Sequence, residues 1–346
     1  FASQRKFFLL PGRHPYKTPM KTPSSFLFRL ISVAALALSM APTVIAQTYP
    51  TKPIRLIVPD APGGSPDVLG RLLAQKLADG LGQQIVVENR PGAAGLLAAE
   101  QAARAAPDGY TLFMSTTSVW AILPSVKKNL PYDADNAFIP ISRIATASNV
   151  LVVNPSLPVK SVADLVKLAK ASPGSINYAS AGIATPAHLA GEMLNLLADI
   201  KMTHVPYKGA APALLDVISG NVQAILTGPL AAGPHIANGK VTALATTGSQ
   251  RNPSLPDLPT IAETVPGYEI SQSWGITVPA GTPAPIVKQL EAEMTKVLAL
   301  ADVRERITRL GVVPATGGGQ AFAAFITAER KRLSDVISKA GIVLAE

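Results

Sequence analysis

Ile54-Arg55-Leu56-Ile57-Val58-Pro59-Asp60-Ala61-Pro62-Gly63-Gly64-Ser65-Pro66-Asp67 is the stretch that decides the fold. Its first five residues are rich in β-branched and large apolar side chains and read as a buried strand. The chain then turns through two glycines into Val68, Leu69, Leu72, Leu73 and Leu77, which share one face of a helix over 66–81. Ser65 reads as the N-cap of that helix and Pro66 as its first helical residue. A helix start of this kind presents free amide N–H groups and about +0.5 charge, and so attracts anions.

The same arrangement returns over a hundred residues later. Asn177-Tyr178-Ala179 leads into Ser180-Ala181-Gly182-Ile183-Ala184-Thr185-Pro186-Ala187-His188, where Thr185 reads as the cap. Two strand–loop–helix units so far apart in sequence suggest two lobes closing on one anion.

Strands and helices alternate around these loops. Strands are expected at 84–88 and 110–115, with a helix at 93–105 between them. This βαβαβ pattern implies a parallel sheet. A second unit has strands at 149–153, 176–179, 204–207, 222–226 and 241–246. Its helices are expected at 161–171, 186–198, 211–219 and 229–238, with Leu189, Met193, Leu194 and Leu197 turned inward. Ser161 with Asp164 resembles a capping box. The last hundred residues supply helices at 260–264, 285–300, 302–310 and 319–340 and a strand at 273–278. With no long linker, the crossings between lobes fall near 142–152 and 240–248. One lobe is then discontinuous, 47–148 with 245–346, and the other is 149–244.

The N-terminal 46 residues stand apart. Met20, Lys21 and Arg29 precede the apolar run Leu30 to Ala41, and Val44-Ile45-Ala46 resembles a small-residue cleavage site. The run is shorter than the roughly 20 residues a membrane span needs. A signal peptide cleaved near Ala46 is expected, with 1–19 lying upstream of it. Six of the 31 basic residues and none of the 22 acidic ones fall there, so the remainder carries 25 against 22, a net charge of +3. The overall excess of +9 is mostly leader and gives no reason to expect nucleic-acid binding. The absence of cysteine removes disulfides, thiolate metal sites and a cysteine nucleophile.

Little in the chain suggests catalysis or a cofactor. His14, His188, His204 and His235 do not pair at metal-ligand spacing. G-x-S-x-G, G-x-x-x-x-G-K-[ST] and G-x-G-x-x-G are all absent. Asp67, in a first helical turn, complements the helix dipole or acts chemically. His188 is a cap-region hydrogen-bonding residue or a base. Trp274 lines a cleft or fills the core. Lys208 is a solvated loop charge or a ligand contact.

Seven segments in order then resemble one family. They are Tyr49-Pro50-x-Lys52-Pro53-Ile54 with Pro62-Gly63-Gly64-Ser65-x-Asp67; Glu88-Asn89-Arg90-Pro91-Gly92-Ala93-x-Gly95; Pro107-Asp108-Gly109-Tyr110-Thr111-Leu112; Asn177-Tyr178-x-Ser180-Ala181-Gly182 with His188-Leu189-Ala190-Gly191-Glu192; Val205-Pro206-Tyr207-Lys208-Gly209; Leu258-Pro259-Thr260-Ile261-Ala262-Glu263; and Pro279-Ala280-Gly281-Thr282-Pro283. The chain resembles the tripartite tricarboxylate transporter receptors, also called Bug proteins, over 49–340.

The resemblance implies a type II periplasmic binding protein of two α/β lobes. It would be a monomer without cofactor or metal, binding a small carboxylate in the cleft and delivering it to membrane subunits of the transporter. The ligand-binding candidates it implies are Ala61, Gly63, Gly64, Ser65, Asp67, Thr116, Thr117, Ser180, Ala181, Gly182, Thr185, His188, Lys208 and Thr227. Two places depart from the family pattern. Asp60 stands where many members have an aromatic or small residue. Thr227-Gly228-Pro229 stands where many have an acid followed by Asn, which favours a plain mono- or dicarboxylate over an amino acid. Presentation of ligand to a sensor kinase is the alternative role, and a periplasmic enzyme is a third.

Overall fold

The computed structural model describes residues 49–252, 255–315 and 317–340, together with Gly12 and Pro15. The expected leader, including the cleavage near Ala46, lies outside the described residues apart from those two.

The chain opens with β1 (Ile54–Val58), α1 (Ser65–Leu81), β2 (Ile85–Asn89), α2 (Leu96–Ala103) and β3 (Thr111–Thr116). A π-helical turn at Ser118–Ile122 runs into the short α3 (Leu123–Val126), and β4 (Phe138–Ser148) follows. Next come β5 (Val150–Val153), α4 (Val162–Ala171), β6 (Asn177–Ser180), α5 (Pro186–Leu197), β7 (Thr203–Pro206), α6 (Ala210–Ile218), β8 (Ala224–Thr227), α7 (Pro229–Ala237) and β9 (Thr242–Thr246). A 3-10 turn at Ile261–Glu263 precedes β10 (Ser271–Pro279), α8 (Ala284–Ala299), α9 (Ala301–Arg309), β11 (Val313–Pro314) and α10 (Gly319–Ala340).

These strands make two sheets. The first runs β11-β4-β10-β3-β1-β2 and the second β7-β6-β8-β5-β9. The expected parallel arrangement holds for β2, β1 and β3. The sheet as a whole is mixed, because β10 returns from far along the chain and pairs antiparallel with both β3 and β4. The second sheet is mixed as well: β7, β6 and β8 are parallel, and β5 is antiparallel to β8 and β9.

Helix α1 buries Leu69, Leu73, Leu77 and Leu81 and ends at Gly82, whose φ of 67° suits glycine. Gly70 lets it lie close to β1: a Cβ there would stand 3.2 Å from Val58. The helix expected from Ala93 starts only at Leu96. Ala93, Ala94 and Gly95 all have positive φ, so they form a separate 3-10 turn before the chain enters α2. In α5, Leu189, Met193 and Leu194 are buried as expected, but Leu197 in the last turn is exposed. Trp274 is a core residue, packed among Ile144, Ile276 and Leu298.

One buried cluster joins Leu151, Tyr178, Leu189 and Leu194 of the second sheet and its helices to Trp120, Phe322, Leu333 and Ile337. Helix α10 therefore packs against both β4 and α5. The chain crosses from β4 to β5 through Asn149. The return runs from β9 through Thr247 to Ile270, at the head of β10. Thr247 ties these crossings together. Its hydroxyl donates to the Ile270 carbonyl at 2.6 Å and accepts the Asn149 amide at 2.8 Å. Backbone bonds from Thr247 N to Asn149 O and from Ile270 N to Thr247 O complete the knot, each at 2.9 Å. Among the described residues no helix is long and apolar enough to cross a membrane.

Candidate functional site

The site is built where strand ends meet. Ligands in such sheets gather beyond the carboxyl ends of parallel strands. In the first sheet these ends carry Pro59–Gly64 after β1 and Thr117 after β3. In the second they carry Ala181–Thr185 after β6, Tyr207–Gly209 after β7 and Gly228 after β8.

The loop after β1 is held by Asp67. Gly63 N donates to its Oδ2 at 2.9 Å, Arg71 Nε donates to the same oxygen at 3.1 Å, and Asn89 Nδ2 donates to Oδ1 at 2.9 Å. Burial pushes the Asp67 carboxyl up, but the bonds from Arg71, Gly63 and Asn89 outweigh it and hold the group below the usual carboxylate range. Asp67 is thus a structural anchor. The expected Ser65 cap does not form. Gly64, with extended backbone, precedes the helix, and Ser65 is the first helical residue with no side-chain capping bond. The Ser65 hydroxyl is left to face the second sheet. A Cβ on Gly228 would stand 3.5 Å from Ser65 Oγ and 3.3 Å from Gln272 Nε2. The two halves of the chain therefore touch here, and Pro229 lies against Gly311 beside this contact.

The loop after β6 is capped as expected. Thr185 Oγ1 accepts the His188 amide at 3.3 Å and donates to Gly182 O at 2.7 Å. Gly182 has a φ of +141°, and a Cβ there would meet the Tyr207 carbonyl at 3.2 Å, so glycine fits on both counts. Tyr207 N and Gly209 N donate to Ser180 O and Ala181 O, each at 3.1 Å, which fastens the loop after β7 to the loop after β6. Lys208, between them, is exposed. Behind the loop His188 stacks on His204 with ring centroids 4.1 Å apart, and His204 stacks on Tyr178 at 4.9 Å. Ser180 Oγ lies 2.7 Å from His204 Nε2, and the Ala184 amide donates to His188 Nδ1 at 3.4 Å. Burial, and then the neighbouring His188, pull His204 down to about 3; burial lowers His188 too. Both the ring and the backbone amide of His188 make hydrogen bonds in the cap region, with Ala184 N and with Thr185 Oγ1 respectively.

Several expected loop donors are already committed. Gly63 N bonds Asp67, Gly64 N bonds Ala61 O at 3.1 Å, and Gly182 N bonds Ser180 Oγ at 3.1 Å. Thr117 Oγ1 is tied to β10, accepting Ser273 N at 2.8 Å. Thr116 is opposite Trp274 in the ladder. Ala61 is exposed at the loop tip. Four buried side-chain groups have no partner among the described residues: Trp120 Nε1, Asn149 Nδ2, Thr227 Oγ1 and Thr246 Oγ1. Of these, Thr227 and Asn149 stand at the strand ends that border the loops. Asn149 Oδ1 accepts Gln272 Nε2 at 3.0 Å, which links it to the Gly228–Ser65 contact. Asn149 and Gln272 were not anticipated from sequence. The available signal was polar residues at the head of otherwise apolar strands, Asn149 before β5 and Ser271-Gln272-Ser273 opening β10. A groove of about 540 Å³ between Lys167, Lys170, Leu197 and Val265 lies away from these groups. Among the described residues no three histidines or carboxylates gather as a metal site.

Two α/β sheets whose strand ends face each other across short crossing strands define the class of periplasmic binding proteins. Residues 69–342 match the model of the tripartite tricarboxylate transporter family receptor, and the chain belongs to that family. Its members are receptors, not enzymes. Protein BugT of Bordetella pertussis is 34% identical over 320 residues, covering 92% of this chain and 98% of BugT. An R. palustris protein solved with adipate superposes with a TM-score of 0.82 at 35% identity, over 85% of this chain and 99% of that one. MatC from Rhodopseudomonas palustris, solved with bound malate, gives 0.78 at 32% identity, over 84% and 100%.

Proposed function

We propose that this protein is an extracytoplasmic receptor that closes two lobes, 47–148 with 245–346 and 149–244, on a small carboxylate. The observation that carries this reading is the meeting of Ser65 with Gly228 beside the unpaired amide of Asn149. Polar groups buried without partners are costly, roughly 1–3 kcal/mol each, and a polar ligand in the cleft relieves that cost. The adipate and malate held by two similar proteins support a carboxylate as that ligand. Ser65, Thr227 and the first-turn amides of α1 and α5 supply donors, with the helix dipoles adding to the attraction, and Thr185 holds the second loop in place by bonding Gly182 O and His188 N. The remaining loop residues, Ala61, Gly63, Gly64, Ala181 and Gly182, shape the backbone around them.

Ligand that contacts both lobes favours the closed state and shifts the population toward it. The closed monomer then docks on the membrane subunits of a tripartite transporter, outside the cytoplasm, once the leader has been removed. A thermal-shift screen of the purified protein against mono-, di- and tricarboxylates tests the reading. A true ligand at a hundredfold excess over its Kd adds about 2.7 kcal/mol of stability. A selective rise in Tm with one carboxylate class is expected. A flat response to every carboxylate contradicts the proposal.

A further inference from the structure

Asp60 is an acid in a loop that otherwise attracts anions. Its carboxylate is half-buried and accepts one hydrogen bond among the described residues, from Ala61 N at 2.8 Å. No described lysine, arginine or histidine pairs with it. Arg71, the basic residue of α1 nearest in sequence, is turned to Asp67 and to Asn89 Oδ1, the latter at 3.0 Å. The loop therefore holds two acids of opposite standing: Asp67 is neutralised by its partners, and Asp60 is not. The Asp60 carboxylate lies over the α-carbon of Gly64, where a Cβ would overlap it. The next residue, Ser65, faces Gly228 of the other lobe. Asp60 thus belongs to the loop that borders the proposed cleft, one residue's length from the Ser65–Gly228 contact. Burial raises its proton affinity, and Asp67 adds to the effect.

The rest of the cleft offers donors. Asn149 Nδ2 is unpaired on a residue only 2% exposed, and the Thr227 hydroxyl is unpaired at 3%. A plain dicarboxylate satisfies these donors but leaves Asp60 facing another negative charge. A carboxylate with a hydroxyl or ammonium beside its acid group satisfies both. Thr227 provides no acid in the second lobe, which taken alone favours a plain acid; Asp60 reverses that expectation by supplying the acceptor from the first lobe.

We propose that Asp60 is a specificity-determining residue that selects a carboxylate carrying an ammonium or hydroxyl group over the plain acid of the same skeleton. This rests on the receptor reading above.

The test is calorimetric titration of the purified protein and of Asp60→Asn with acids matched in skeleton. One set is succinate, malate and aspartate; others are propionate, lactate and alanine, and glutarate, 2-hydroxyglutarate and glutamate. In the set that binds, the wild type is expected to prefer a substituted member over the plain acid by about tenfold. Asp60→Asn should lower that preference to about threefold or less while still binding the plain acid. Equal or tighter binding of the plain acid by the wild type overturns the proposal without any variant, and so does a preference that survives in Asp60→Asn. If the wild type binds no member of any set and no other carboxylate either, the receptor reading itself fails and this one falls with it.

Discussion

Ser65 and Thr185 occupy matching places in the two loops, yet only Thr185 caps its helix. In the first loop Asp67 reaches back to Gly63 N, which lies before the helix, and the Ser65 hydroxyl makes no capping bond and lies toward Gly228. Thr185→Ala should therefore lower stability by about 1 kcal/mol, the usual cost of losing a cap, read as a drop in denaturant midpoint. Ser65→Ala should leave that midpoint nearly unchanged. The buried rings behind the second loop predict a pH dependence. His204 falls from its ordinary 6.5 to about 3 in the folded protein. Between those values the unfolded chain binds a proton that the folded chain refuses, so this contribution is full above pH 6.5 and is lost as pH falls toward 3. Tm should drop on acidification from pH 7 to 4, and His204→Phe should flatten part of that slope. A variant that keeps the whole slope contradicts the assignment. Residue types were legible here, but their partners were not. Nothing in the spacing of His188 and His204 shows that β6 and β7 lie side by side in register, Tyr178 opposite His204, and bring the rings together.

At the scale of elements, local pattern was a good guide wherever a stretch answers to its own backbone. Gly82 stops α1, Ser161 caps α4 by accepting Asp164 N at 3.1 Å, and Thr185-Pro186 starts α5, all as local rules require. The rules failed where distant chain intervenes. The 11-residue β4 and its pairing with β10 join segments more than a hundred residues apart, and no short-range pattern carries that information. The late start of α2 follows from positive φ at Ala93 and Ala94, a conformation that alanine seldom adopts. Close packing between elements makes a further prediction. In α5, Gly191 faces the Tyr178 ring so closely that a Cβ would overlap it. Tyr178 in turn donates to Glu192 Oε1 at 2.5 Å and stacks on His204. Gly191→Ala should cost about 1–3 kcal/mol by overpacking, measured as a loss of Tm. A neutral result would mean that α5 lies farther from β6.

At the scale of the molecule, α10 and the crossing segments tie the two sheets together. Helix α10 packs on both β4 and α5, and its Leu333 and Ile337 lie in one cluster with Leu189 and Leu194. The Thr247 hydroxyl joins both crossings. Closure in this account is a motion about those crossings, and a ligand that bridges Ser65 and Thr185 stabilises the closed form. The family was legible in the seven sequence segments. The pairing of the buried polar residues Asn149 and Gln272 was not, because they meet only when β10 comes back beside β4. The most direct test is calorimetric titration of the carboxylate that the thermal screen selects, with wild type, Ser65→Ala and Thr185→Ala in parallel. Each variant should bind about two- to tenfold more weakly, Ser65→Ala through the loss of one hydrogen bond to the ligand and Thr185→Ala through the loosening of the loop it caps. Full affinity in both variants would contradict a ligand held between these two loops.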